Sequence, residues 1–230
     1  MKKIIETNNC IINYSDSLEE LAKETIIILD KKINEYKKFF QKDFKETITV
    51  NYFDTKEEFR RFIYELRNED SLPEYATATY DNGMINAYIN PSNQLERIYT
   101  ASHELFHILY LKFTLEGDYS KRIVWYDEGM AQYMSGEKDK YNDIDRFRQF
   151  YLYVKSNTKE IPNLTELVHG NDFVNDKYNA YSLSYLSIRY LSEIMKTEEF
   201  NLLKNNFDKI KKLGKNITQE MFNYYDNLHN

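Results

Sequence analysis

The chain has 230 residues, 42% hydrophobic and 30% charged, with a net charge of -6. That is a soluble globular composition, long enough for one large domain or two small lobes, and its interspersed lysines and glutamates argue against a nucleic-acid partner, which needs clustered cations. The single cysteine, Cys10, excludes an intramolecular disulfide framework and a multi-cysteine metal site.

A short strand is expected within residues 4–14. Ser15 or Ser17 then reads as a cap for a helix running to Phe40, with Leu18, Leu21, Ala22, Thr25, Ile28, Leu29, Ile33 and Tyr36 at core spacing. Residues 48–53 read as a strand, and Asp54 or Thr55 as the cap of a helix over 55–67. A turn at 69–73 follows. Segments 76–80 and 84–89 flank Asp81-Asn82-Gly83, a hairpin signal. Pro91-Ser92 opens a mainly helical remainder, with helices expected over 94–112, 143–156, 165–169, 180–195, 198–207 and 218–228, and a loop over 171–178. The predicted class is α+β, with an N-terminal α/β lobe (1–93) and a mainly helical lobe (94–230) forming one catalytic domain around a cleft. No apolar core of signal-peptide length follows Met1-Lys2-Lys3, and no stretch reaches the length of a membrane span. No membrane partner and a cytoplasmic location are therefore expected; oligomeric state is not written in the sequence.

The chemistry concentrates in Ser102-His103-Glu104-Leu105-Phe106-His107-Ile108-Leu109-Tyr110. His103 and His107 are four apart and share a helix face, so both imidazoles can reach one metal ion. Glu104 sits one position further round, where a carboxylate can take a proton from water at an open coordination position. Only four histidines occur in the chain, and this apolar segment holds two of them. A buried carboxylate without a partner is expensive, so a metal or substrate accounts for the three polar residues together.

The second half of the pattern is Trp125-Tyr126-Asp127-Glu128-Gly129-Met130-Ala131-Gln132-Tyr133-Met134. Glu128 can supply a third ligand. Gly129 and Ala131 are small beside it and are expected to let the histidine helix approach. Glu116-Gly117-Asp118 provides a turn between the two segments. Two imidazoles and one carboxylate with an open position suit Zn2+ best.

HExxH followed by W-x-x-E-G-x-A-x-Y (Trp125, Glu128, Gly129, Ala131, Tyr133) resembles the gluzincins, zinc peptidases whose third ligand is a glutamate on a second helix, and more narrowly the bacterial peptidase MA-like proteins. The resemblance covers residues 45–228 and is strongest at 100–135. No Gly-x-x-His follows His107, unlike the metzincins. Asn86-Ala87-Tyr88-Ile89-Asn90 stands where large aminopeptidases carry Gly-x-Met-x-Asn, so no amine-binding role is implied. The resemblance implies zinc on His103, His107 and Glu128, Glu104 as general base, and a peptide or unfolded-protein substrate. It also implies a cleft-lining edge strand, with Met84–Tyr88 the candidate. A tyrosine or histidine on a later helix would stabilise the oxyanion: Tyr181 first, with Tyr178, Tyr185 and His169 as alternatives. Ser102, Asp127 and Gln132 are candidates to orient the imidazoles, Trp125 to pack between the metal helices, and Arg97 and Arg122 to lie in solvent or contact a substrate carboxylate. Two other readings share the motif: a catalytically inactive zinc- or peptide-binding protein on a peptidase scaffold, and a zinc amidohydrolase of small non-peptide substrates.

Overall fold

A computed structural model describes residues 2–69, 72, 76–81, 83–168, 170–173 and 175–229. They form an α+β fold, with a small N-terminal region of mixed sheet and helices followed by a mainly helical lobe. Met1–Ile108 and Leu109–Asn230 are two compact units.

The first unit contains β1 (Lys2–Glu6), β2 (Cys10–Ser15), α1 (Glu19–Phe40), β3 (Ile48–Phe53), α2 (Lys56–Arg67), β4 (Ala78–Asp81) and β5 (Met84–Tyr88). The sheet order is β1-β2-β3-β5-β4. The two outer pairs are antiparallel; β2–β3 and β3–β5 are parallel. Parallel neighbours need a crossover, which α1 provides between β2 and β3. The single strand expected at 4–14 is instead a hairpin, closed by Thr7 N donating to Cys10 O at 2.9 Å. β5, the expected edge strand, is interior: β3 and β4 take its two hydrogen-bonding sides, and the short β4 holds the edge.

Alternation along the strands divides the sheet into two faces. Ile12, Val50, Tyr52, Ile85 and Ala87 are buried on one, where the Tyr52 hydroxyl donates to Thr25 Oγ1 of α1 at 3.2 Å. On the other, Phe53 packs with Phe59 and Ile63 of α2 and with Leu72. The same face carries an amide ladder: Asn13, Asn51 and Asn86 are in register on three parallel strands. Asn13 Nδ2 donates to Asn51 Oδ1 at 2.9 Å, and Asn51 Nδ2 to Asn86 Oδ1 at 2.8 Å.

Local caps follow the sequence in part. Thr55 caps α2 by accepting from Glu58 N. Ser15 and Ser17 cap nothing; both hydroxyls donate to Asp54 Oδ2, and a 3-10 turn (Asp16–Leu18) precedes α1. Arg67, at the end of α2, grips Asp81 with Nε and Nη2 at 2.7 and 3.0 Å, fastening the helix to β4. The expected turn at 69–73 and hairpin residue Asn82 lie partly outside the described residues. A 3-10 segment (Pro91–Arg97), interrupted at Asn93, replaces the expected helix start at Gln94; α3 spans Thr100–Phe113.

The second unit contains α4 (Val124–Ser135), α5 (Ile144–Ser156), α6 (Ala180–Ile194), α7 (Thr197–Leu203), α8 (Phe207–Gly214) and α9 (Ile217–His229). The helix expected over 198–207 ends earlier, because Asn206 caps a separate α8 by accepting from Lys209 N. α5 docks on α9 through Tyr151, whose ring meets Phe222 and Tyr225 and whose hydroxyl donates to Phe222 O and Asp226 Oδ1. Among the described residues, no helix is long and apolar enough to cross a membrane.

Candidate metal centre

The rotational setting of α3 decides what its polar residues can do. Leu105, Phe106, Leu109 and Tyr110 are buried, while His103, Glu104 and His107 are half-buried on the opposite side. Phe106 fixes that setting, since its ring meets Tyr36, Phe39 and Phe40 of α1 at centroid distances of 5.7, 5.9 and 5.5 Å. The buried Tyr36 hydroxyl donates to Ser102 O at 2.9 Å. The helix turned to bury these apolar groups therefore presents both imidazoles and Glu104 together.

His103 Nε2 and His107 Nε2 lie 3.1 Å apart, with their rings inclined at 75°. Two nitrogens bound to one tetrahedral zinc at about 2.0–2.1 Å would be about 3.3 Å apart, so the pair fits such an ion.

Glu128 lies on the second turn of α4. The preceding loop turns at Glu116 and Gly117, both at positive φ, and Asp118 Oδ1 accepts from Ser120 N. Gly129 allows α6 to lie close: a Cβ there would be 2.6 Å from Ser184 O and 2.7 Å from Ile188 Cγ1. The glycine was expected to admit the histidine helix; the backbone it admits is that of α6.

Arg122 holds the carboxylate. Its Nη2 donates to Glu128 Oε1 at 3.0 Å, and its Nε donates to Asp127 Oδ2. Asp127 is buried, and the Arg122 side chain is 20% exposed. Burial lowers the guanidinium pKa, but the charges of Asp127 and Glu128 outweigh it, leaving the pKa raised. Arg122 is thus an internal clamp rather than a solvated residue. Its role could not be read from helical spacing, because it precedes the first turn of α4.

One ligand atom from each of His103, His107 and Glu128 lies within 4.8 Å of the others. Among the described residues, no other group of three His, Cys, Asp or Glu side chains meets this condition.

The candidate supporting residues divide. Gln132 Nε2 donates to Glu128 O at 3.3 Å and to Tyr181 O at 2.9 Å, joining the ligand helix to the first turn of α6. Ser102 Oγ donates to Tyr99 O at 2.9 Å. Trp125, expected between the metal helices, has Nε1 against the position of Gly214 in α8. Arg97 donates to Thr77 Oγ1. Of the proposed oxyanion donors, Tyr185 is buried against Phe150, and burial raises its phenol pKa despite a hydrogen bond with Arg189. Tyr181 is half-buried, with its ring on Phe173; Tyr178 is also half-buried. His169 lies outside the described residues.

The sequence model described as Peptidase M9, collagenase, matches residues 15–227, which run from the last residue of β2 through β3, β4, β5 and α3 and on into α9. The chain belongs to the M9 collagenase family. With its His/His/Glu cluster, this M9 protein is a zinc-dependent metallopeptidase of gluzincin-like architecture and hydrolyses peptide bonds. No curated protein matches it.

Proposed function

We propose that this M9 chain cleaves internal bonds of extended peptides and unfolded proteins, that its ion is Zn2+, and that His103, His107 and Glu128 hold it. The observation that carries this reading is the cluster of ligand atoms from His103, His107 and Glu128, with Glu104 on the same half-buried side of α3 as the two histidines. Nitrogen, nitrogen and carboxylate oxygen donors suit zinc over harder cations, which prefer all-oxygen sets. When bound, zinc polarises the scissile carbonyl and makes water more acidic. Glu104 accepts the proton of the attacking water on its carboxylate and passes it to the leaving amine. Arg122 occupies Oε1 of Glu128 and orients the ligand. Tyr181, with its backbone fixed by Gln132, is our candidate to donate its phenolic hydrogen bond to the developing oxyanion. The Trp125–Tyr133 segment resembles that of peptidase MA-like proteins, and we keep that finer likeness within the gluzincins as part of the proposal. Gelatin, unwound collagen, is the first protein substrate to offer, given the family's description.

Glu104→Gln tests the assignment. It should retain fold and bound metal while lowering kcat on an unstructured peptide at least about a thousandfold, as expected for loss of a principal proton-transfer group. Wild-type turnover in that variant would remove Glu104 from the mechanism.

A further inference from the structure

A cavity of about 660 Å3 lies in the second unit. Its wall comes from three places: the loop entering α4 (Tyr119, Ser120, Arg122), the segment around Leu164–Val168, and the C-terminal end of α8. This volume is within the range of pockets that enclose small organic ligands. The lining is apolar at Ile123, Val124, Leu164, Leu167 and Val168, and its charged side chains are all cations: Arg122, Lys211 and Lys215. No carboxylate lines it, although the chain as a whole is acidic.

The three cations are not equivalent. Arg122 is already answered by Asp127 and Glu128. Lys211 and Lys215 have no ion pair among the described residues, whereas nearby Lys209 is paired with Glu199. Four positions apart, they sit over one another at the end of α8, a like-charged arrangement that mildly disfavours the helix. An anion between them relieves that repulsion, and the apolar wall accommodates an uncharged body. All these groups belong to one unit, and none is a proposed metal ligand.

We infer that this cavity is a second binding site, separate from the metal ligands, for a carboxylate with an apolar body: the C-terminal end of an apolar peptide or a free organic acid. Lys211 and Lys215 receive the carboxylate, and Leu164, Leu167 and Val168 cover the apolar portion. The chain's single tryptophan provides a nearby reporter. Trp125 is fully buried, with Nε1 facing Gly214, between the two lysines in sequence, and the pocket residue Thr165 reaches the same point.

The test is a titration of the full chain, followed by calorimetry and Trp125 fluorescence. The probes are N-acetyl-Leu-Leu, its C-terminal amide and 4-phenylbutyrate. At least one acid should bind, the amide should bind at least about tenfold more weakly than the peptide acid if that acid is the ligand, and Lys211→Gln/Lys215→Gln should weaken acid binding at least about tenfold. Lys211→Arg/Lys215→Arg should retain binding, separating charge recognition from misfolding. Tighter binding of the peptide acid identifies a peptide C-terminus; tighter binding of 4-phenylbutyrate identifies a free organic acid. An amide that binds as tightly as a binding peptide acid, unchanged acid binding in the glutamine variant, or no binding of either acid at millimolar concentration would overturn the inference. Repeating the titration after chelation separates this site from the metal centre, since its ligands remain in place if the hydrolytic reading fails.

Discussion

Arg122 and Glu128 are joined by a 3.0 Å contact from Nη2 to Oε1, so the one carboxylate of the His/His/Glu cluster is held by a guanidinium that also binds buried Asp127. Removing one member of such a group leaves the others desolvated and unpaired, a loss of about 3 kcal/mol. Arg122→Ala should therefore lower stability by about that amount and weaken metal binding. Arg122→Lys should recover part of both, because it restores charge but not the planar fork. Urea unfolding and metal titration together check this; an alanine variant with unchanged stability and affinity would show that the clamp is idle.

Gly129 poses a competition between helix propensity and packing. Alanine favours an exposed helix by about 1 kcal/mol over glycine. At this position its Cβ would meet the Ser184 carbonyl at 2.6 Å, a backbone atom that cannot swing aside. Overpacking costs about 1–3 kcal/mol, so Gly129→Ala should be net destabilising and should shift the helix carrying Glu128. A lower melting temperature with reduced metal retention is expected. A variant as stable as wild type would mean that α4 and α6 separate without penalty.

Cys10 supplies a pH-dependent prediction. Burial, assisted by the charge of Asp30, pushes its thiol from 9.0 up to about 12. The folded state therefore favours the neutral thiol. That contribution is fully present below the unfolded pKa and is lost as pH rises from about 9 towards 12. At pH 8 a disulfide reagent should leave Cys10 unmodified in the folded chain and label it fully in urea. Rapid labelling without denaturant would show that the β2 end of the core opens readily.

The amide ladder offers a stability test away from the metal. Asn51 joins Asn13 and Asn86, and Asn86 is fully buried. Asn51→Leu would deprive both neighbours of a hydrogen-bond partner, costing about 1–3 kcal/mol by the penalty for unsatisfied buried polar groups. Denaturant unfolding measures it; an unchanged midpoint would show that the ladder contributes nothing.

Periodic and capped segments were the readable part of the sequence. β3, α2 and α6 appear within a residue or two of expectation because apolar spacing and flanking caps agree there. His103, Glu104, His107 and Glu128 stood out because metal chemistry needs those groups at helical spacing. Relationships set by tertiary packing were not readable. The hairpin signal pointed to β4 as one neighbour of β5, but β5 became interior because β3 pairs along its other side, and a parallel neighbour distant in sequence leaves no mark in the strand pattern. The Arg122 clamp and the contact of Gly129 with α6 depend on how a loop and two helices meet. Asn13, Asn51 and Asn86 become a ladder only once the parallel register is known.

The central claim is a single zinc held by two histidines and Glu128, and bound-metal stoichiometry tests it most directly. Elemental mass spectrometry should find about one zinc per folded wild-type chain, as a single His/His/Glu site requires, and sharply less in Glu128→Ala prepared without chelator. Chelation should also lower the wild-type melting temperature, because an ion bound only to the folded state stabilises it. No zinc in wild type after incubation with the metal, or undiminished zinc in Glu128→Ala, would contradict the account.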